Sequence, residues 1–329
     1  MRRQNSCLGV PLPVRWSSLT AALLLLCGLS YFSPARAVDR IIFDQPSSAI
    51  DSRKEYPMQL LREILERTKP KFGPYELAYS NVRIEQRPRL LLEMKRGDVV
   101  NVTVQPSQPE WESELPVIRI PVDKGIASYR IFLINQEDQP AFSAITSLEQ
   151  LKEKRLGVDR SWSTYAVYTA NGFTLETGNN YEGLFSMLQA RRFDYFPRAI
   201  YEAIPEQLGH KESAPDIAVE KSIALYFPLP RYFFVSPAYP GLAKRIETGF
   251  EMLVKDGTFD RLFMEYHRDL IKQAGFCTRR IFPITNPLLT SETPLQRKEL
   301  WFDPFRASVV GGKTGQAFCS SRSAKSLSN

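Results

Sequence analysis

Histidine is scarce in this 329-residue chain: His210 and His267 are the only two, and they stand far apart. No Cys/His spacing resembles a zinc site, and no glycine-rich phosphate loop of the Gly-x-Gly-x-x-Gly kind is present. Counting leaves a Ser-His-Asp centre open, but His267 sits in Glu265-Tyr266-His267-Arg268, which reads as a solvated helix face. The expected chemistry is holding rather than turnover, with no metal and no cofactor. One stretch that could hold a ligand is Asp159-Arg160-Ser161-Trp162-Ser163-Thr164, where the short strand Arg155–Val158 runs into a helix. Its hydroxyls suit helix caps, and backbone N–H groups at a helix start favour anions.

The elements that must position such a stretch come in two like sets. Arg89–Val102 reads as a helix, a basic turn, an Asp and an apolar strand. Asn180–Phe196 repeats that grammar, with Asp194 before the strand. Two α/β units of one pattern predict two similar lobes, and small ligands bind in clefts between lobes.

Around these units the chain alternates strands and helices. Arg40–Phe43 is a short buried strand, and Met58, Leu61, Ile64 and Leu65 form one helical stripe. Ser147-Leu148-Glu149-Gln150 is a capping box. Pro240–Lys255 is strongly amphipathic and stops at Asp256-Gly257. Gln105–Glu114 reads as a polar loop, and Ala224–Ser236 as an aromatic strand broken by Pro228 and Pro230. Asn101-Val102-Thr103 matches a glycosylation sequon but falls in a strand expected to be buried.

Residues 1–37 read as an address. Arg2, Arg3 and Arg15 precede an apolar run, Leu19–Leu29, that is short for a bilayer span. Ala35-Arg36-Ala37 then supplies a small-x-small cleavage pattern, which completes a secretory signal peptide. Its removal leaves 292 residues with 39 basic and 36 acidic side chains. That balance, with no basic run interleaved with aromatics, argues against nucleic acid as a partner. Cys277 and Cys319 remain in the exported chain; one disulfide and two free thiols are both open readings.

Several marks in order resemble a known family. They are the opening strand, Ser147-Leu148-Glu149-Gln150-Leu151, Leu156-Gly157-Val158, Tyr181–Asp194, and Lys255-Asp256-Gly257-Thr258-Phe259-Asp260-Arg261-Leu262. Together, from about Arg40 to Ile271, they resemble an extracellular solute-binding protein of family 3, the amino-acid type. The resemblance implies an α/β fold of two Rossmann-like lobes joined by two crossing strands, the type II periplasmic-binding-protein architecture. It implies lobe one at 38–129, lobe two at 130–228, and lobe-one helices at 229–275. The crossings would fall near Tyr129–Phe132 and Phe227–Phe233. Beyond them, 276–305 reads as an extended Pro-rich surface segment and 306–329 as a disordered tail.

The resemblance further implies a monomeric periplasmic binder of a small-molecule solute. It would serve an ABC permease or an envelope sensor. Amino-acid binders of this kind carry an Arg after a lobe-one strand, which grips the ligand carboxylate. Here Trp111, between Glu110 and Glu112, stands at that place. The expected ligand-binding residues are therefore Trp111, Arg130, Ser161, Trp162, Ser163, Thr164 and Arg198. A stacking Trp111 favours a ligand with an aromatic or cationic part. Two other readings stand beside this one. An exported dehydratase of cyclic acids on the same fold would use Glu110 or Glu112 as acid or base. A partner-binding module would use Trp301, Phe302 and Phe305 as contacts.

Overall fold

The structure, a computed structural model, describes residues 38–46, 52–84, 86–178, 180–306, 309–310, 313–314 and 317–319. The signal-peptide reading of 1–37 lies outside the described residues. So does most of 306–329.

The first lobe opens with β1 (Asp39–Phe43), α1 (Glu55–Phe72), β2 (Tyr75–Tyr79), α2 (Arg87–Arg96), β3 (Val102–Pro106), α3 (Pro109–Glu114) and β4 (Val117–Ile118). The second lobe runs β5 (Tyr129–Asn135), α4 (Gln139–Ser143), α5 (Leu148–Lys152), β6 (Arg155–Asp159), α6 (Ser163–Ala170), β7 (Thr174–Gly178), α7 (Tyr181–Gln189), β8 (Tyr195–Ala199), α8 (Ile200–Gly209), β9 (Ile217–Val219) and β10 (Ile223–Tyr226). The chain then returns through β11 (Arg231–Val235), α9 (Pro240–Asp256) and α10 (Thr258–Ala274), and ends in β12 (Arg280–Pro283) and a small hairpin, β13 (Val309–Val310) with β14 (Lys313–Thr314). Lobe one is a sheet of order β2-β1-β3-β11-β4; lobe two is β12-β10-β5-β8-β6-β7, with β9 also paired to β5.

Each sheet is mixed: β11 in lobe one and β5 in lobe two run antiparallel to their neighbours, and the other core pairs are parallel. β1 pairs parallel with β2 and β3, and β6 with β7 and β8. Parallel strands are covered by helices on both faces, which explains the apolar stripes. On α1, Leu60, Leu61, Ile64 and Leu65 are fully buried, and they face Leu242, Ile246, Phe250 and Leu253 of α9. The two helices approach so closely that a Cβ on Gly249 would sit 2.7 Å from the Ile64 carbonyl oxygen. Asn101 is wholly buried; its amide accepts from Ile42 N and donates to Arg40 O, which ties β3 to β1.

Three segments differ from the sequence-based reading. Tyr129–Phe132 is not a crossing but the buried start of β5, paired with both β10 and β8. The chain crosses earlier, over 119–128, and returns over 227–230, where Pro228 and Pro230 cannot donate to a ladder. Gln105–Glu114 is not all loop: Pro109 in the first turn starts α3. The segment 276–305 is not simply laid on the surface. β12 joins the lobe-two sheet beside β10. Leu300 is fully buried, and Phe302 packs against Tyr129, Phe263 and Phe276.

The described parts of 306–329 also depart from a disordered tail. Cys319 is buried and disulfide-bonded to Cys277, with Cα atoms 5.1 Å apart and a sequence separation of 42. Closing a loop of that length stabilises a fold by about 2–4 kcal/mol. Cys319→Ser is therefore expected to lower stability by about that much in denaturant titration. Addition of reductant should have the same effect on the unsubstituted protein and none on the variant.

Candidate functional site

Strands of parallel α/β sheets present ligands at their carboxyl ends. In lobe two those ends are Asp159-Arg160-Ser161 after β6 and Arg198-Ala199 at the end of β8. In lobe one they are Asp44 after β1 and Ser107 after β3, and Arg231 of β11 stands opposite Pro106. The region where these ends meet is dense in buried charge.

Its centre is the start of α8. Glu202 reaches back to cap the Ala199 N–H at 3.0 Å. Its carboxylate accepts from Arg130 Nη1 at 3.2 Å and lies 3.5 Å from Arg198. It also lies 4.0 Å from Arg53 of lobe one, so the ion pair spans the two lobes. One turn on, Glu206 takes the Arg198 guanidinium in a two-pronged pair, with Nε to Oε2 at 2.6 Å. Burial by itself would raise the Glu202 carboxyl. The charges of Arg198, Arg130 and Arg53 outweigh that and hold it down to about 2. Burial likewise works against a charged Arg198, yet Glu202 and Glu206 keep its proton more firmly than usual.

Aromatic rings frame this cluster. The Arg198 guanidinium lies 4.7 Å above Trp162 and 5.0 Å above Phe196, and those two rings stack at 5.9 Å. Arg130 sits 5.9 Å over Phe227 in the return crossing. Of the sequence-predicted residues, then, Arg130, Trp162 and Arg198 meet at one place. Ser163 and Thr164 are buried in the first turn of α6, whose N-cap, Trp162, makes no side-chain bond to it. Ser161 is a turn residue instead: its hydroxyl donates to Asp159 Oδ1 at 2.7 Å.

Trp111 lies elsewhere. It is 2% exposed, edge-on to Phe234 at 5.5 Å, in a cluster with Leu90, Met94, Leu115 and Tyr232. Arg87 lies 5.2 Å over its ring. The expectation that Trp111 stacks on a ligand is thus corrected, because α3 turns the indole inward to fill the lobe-one core. Glu112 is similarly engaged, accepting from Ser107, Arg119 and Thr290.

Beside the ion-pair cluster is a cavity of about 170 Å³ at the lobe junction, walled by Tyr56, Asp123, Tyr201, Arg231, Tyr266 and His267. Asp123, in the first crossing, and Arg231, at the head of β11, pair at 3.4 Å. Arg231 also donates to Tyr201 Oη at 3.1 Å. His267 is buried rather than solvated: its Nδ1 lies 2.9 Å from the Phe263 carbonyl, and its ring stands edge-on to Tyr56 at 4.7 Å. Burial pushes its imidazole down to about 4. Sequence reasoning missed Glu206, Asp123, Tyr201 and Arg231. The i, i+4 spacing of Arg198, Glu202 and Glu206 was a visible signal for the first. Nothing in the sequence brings Asp123 to Arg231. Among the described residues no group of three or more His, Cys, Asp and Glu is placed to hold a metal ion.

No sequence-family model matches the chain. No curated protein matches it either. Solved structures do. The crystal structure of the "probable amino-acid ABC transporter extracellular-binding protein" of Bacillus subtilis aligns with TM-score 0.50 at 15% identity, over 70% of this chain and 98% of that one. An ancestral arginine-binding protein aligns with TM-score 0.48 at 16% identity, over 70% and 98%. A periplasmic arginine-binding protein of Salmonella typhimurium gives 0.46 at 10% identity, over 69% and 98%. The Bacillus subtilis match and the two crossed sheets together show the α/β fold of type II periplasmic binding proteins.

Proposed function

We propose that this protein is an exported two-lobe solute-binding protein, working in the periplasm, that closes on a small ligand for ABC-type uptake or for sensing. The observation that carries this reading is the lobe junction. There a cavity is lined by the start of α1, the first crossing and the head of β11 on one side and by Tyr201 of α8 on the other, and the ion pair of Arg53 with Glu202 links one lobe to the other. The two crossings, 119–128 and 227–230, are the segments about which the lobes would open. No helix among the described residues is long and apolar enough to cross a membrane. The site holds its acids in ion pairs: Glu202 and Glu206 with arginines, and Asp123 with Arg231. That favours binding over proton-transfer chemistry, which needs an acid or base free to exchange its proton.

Thermal melting against a library of amino acids, organic acids, polyamines, sugars and short peptides tests the proposal. A ligand at 100 times its dissociation constant is expected to stabilise the folded state by about 2.7 kcal/mol. A melt that no member of the library moves would refute the small-solute reading.

A further inference from the structure

The segment that follows β12 touches both lobes and both crossings. Its first anchors are in lobe two. β12 lies beside β10, and the backbone N–H of Thr285 donates to Oδ1 of Asn171, just after α6, at 3.1 Å. Asn286 Nδ2 then donates to Pro228 O of the return crossing at 2.7 Å. The next anchors are in lobe one. Thr290 Oγ1 donates to Glu112 of α3 at 3.0 Å, and Arg297 holds Glu251 of α9 by two bonds, at 2.6 and 3.0 Å. The segment 284–297 is therefore a further connection between the lobes, beside the two crossings.

From there the chain turns onto the first crossing. Lys124 and Gly125 stand in consecutive left-handed conformations, with φ of 50° and 64°. Such backbone is uncommon for a lysine and persists where the surroundings over-determine it. Here the C-terminal segment does so. Phe302 N donates to Lys124 O at 2.7 Å, and Lys124 Nζ donates to Glu299 O while pairing with Asp260 of α10. Trp301 covers Gly125 so closely that a Cβ there would sit 2.4 Å from its ring. The Phe302 ring bridges the lobes, 6.1 Å from Tyr129 of β5 and 5.6 Å from Phe263 of α10. Beyond it, Cys319 N donates to Pro304 O at 2.9 Å, and the disulfide ties that end to Cys277, just ahead of β12.

Hinge motion needs a few residues that are free to change φ and ψ. Lys124 and Gly125 are where the first crossing would make that change, and Trp301 and Phe302 lie on them. We propose that residues 284–306 are a strap that locks the two lobes at one angle, with Cys277–Cys319 as its clasp. The inference rests on 119–128 and 227–230 being the segments of opening. Lobe rotation then requires Trp301 and Phe302 to leave the first crossing, so the chain's own C-terminal segment governs access to the cleft.

Single-molecule energy transfer between dyes on unnatural amino acids at Arg62 of α1 and Glu149 of α5, both exposed, reads the angle between the lobes. The oxidised, otherwise unsubstituted protein is expected to show one narrow distance. Trp301→Ala is expected to add a second distance in about a tenth of the molecules or more. Dithiothreitol, which opens the clasp to two titratable thiols, should do the same without the substitution, and it serves alone should Trp301→Ala fail to fold. A single, unchanged distance after the strap is loosened in either way would overturn the lock. Two distances in the oxidised protein would overturn it as well. Neither result bears on whether a small solute binds, which the melting library decides, so the two readings fail separately.

Discussion

Trp111→Arg is expected to cost at least about 4 kcal/mol of stability and to bring no ligand grip with it. The indole is 2% exposed in the apolar cluster between α2, α3 and β11. Truncating a buried Trp to Ala costs about 3–5 kcal/mol through lost burial and the cavity left behind. Arginine at this position does worse, because it sets a second guanidinium near Arg87 in apolar surroundings. Arg87 already feels its burial, which lowers it to about 10. Urea unfolding of Trp111→Ala and Trp111→Arg would measure both terms. A Trp111→Arg protein within about 1 kcal/mol of the unsubstituted one would show that the ring is a surface cover and not core.

Glu202→Ala is expected to cost about 3–5 kcal/mol, the usual result of removing one partner from a buried ion pair. The loss falls on Arg130, whose Nη1 bond to Glu202 is its one described hydrogen bond to a carboxylate and whose Nε has no partner among the described residues. Arg198 keeps Glu206 and suffers less. The pH dependence follows from the depressed carboxyl. Glu202 is held at about 2 against an ordinary 4.5. Its contribution, on the order of 3 kcal/mol, is complete above about pH 4.5 and disappears as pH falls toward 2. Unfolding curves of Glu202→Ala and the unsubstituted protein should therefore draw together over that range. A gap that stays constant from pH 6 to pH 2.5 would mean that Glu202 acts through packing and not through its charge. Glu202→Gln separates the two, since it keeps the shape and the Ala199 cap while losing the charge.

The same two residues mark the boundary between what residue order determines and what assembly determines. Repeated helix-turn-Asp-strand grammar and the capping box at Ser147 were enough to predict two α/β lobes. So was the apolar stripe of Pro240–Lys255. The physical reason is that they are local: a 3.6-residue stripe, an Asn180 or Ser147 cap and an αL glycine such as Gly257 act within a few residues. Arg198 was also legible as a charge at a lobe-two strand end, whereas Arg130 read as part of a crossing and lies in β5.

Tertiary structure alone decided the rest. Whether Trp111 faced a cleft or a core depended on the direction in which α3 leaves Gln108, and a loop-like composition does not encode that direction. His267 looked solvated among Glu265, Tyr266 and Arg268. It is buried because α10 packs against both α1 and α8, a contact between elements about 60 to 200 residues apart in sequence. The C-terminal segment looked extended because prolines break regular structure. It is fastened because β12 finds the free edge of β10 and Cys319 finds Cys277. The cavity between Tyr56, Asp123 and Tyr201 has no sequence signature at all, since its three walls come from a helix start, a crossing and the opposite lobe.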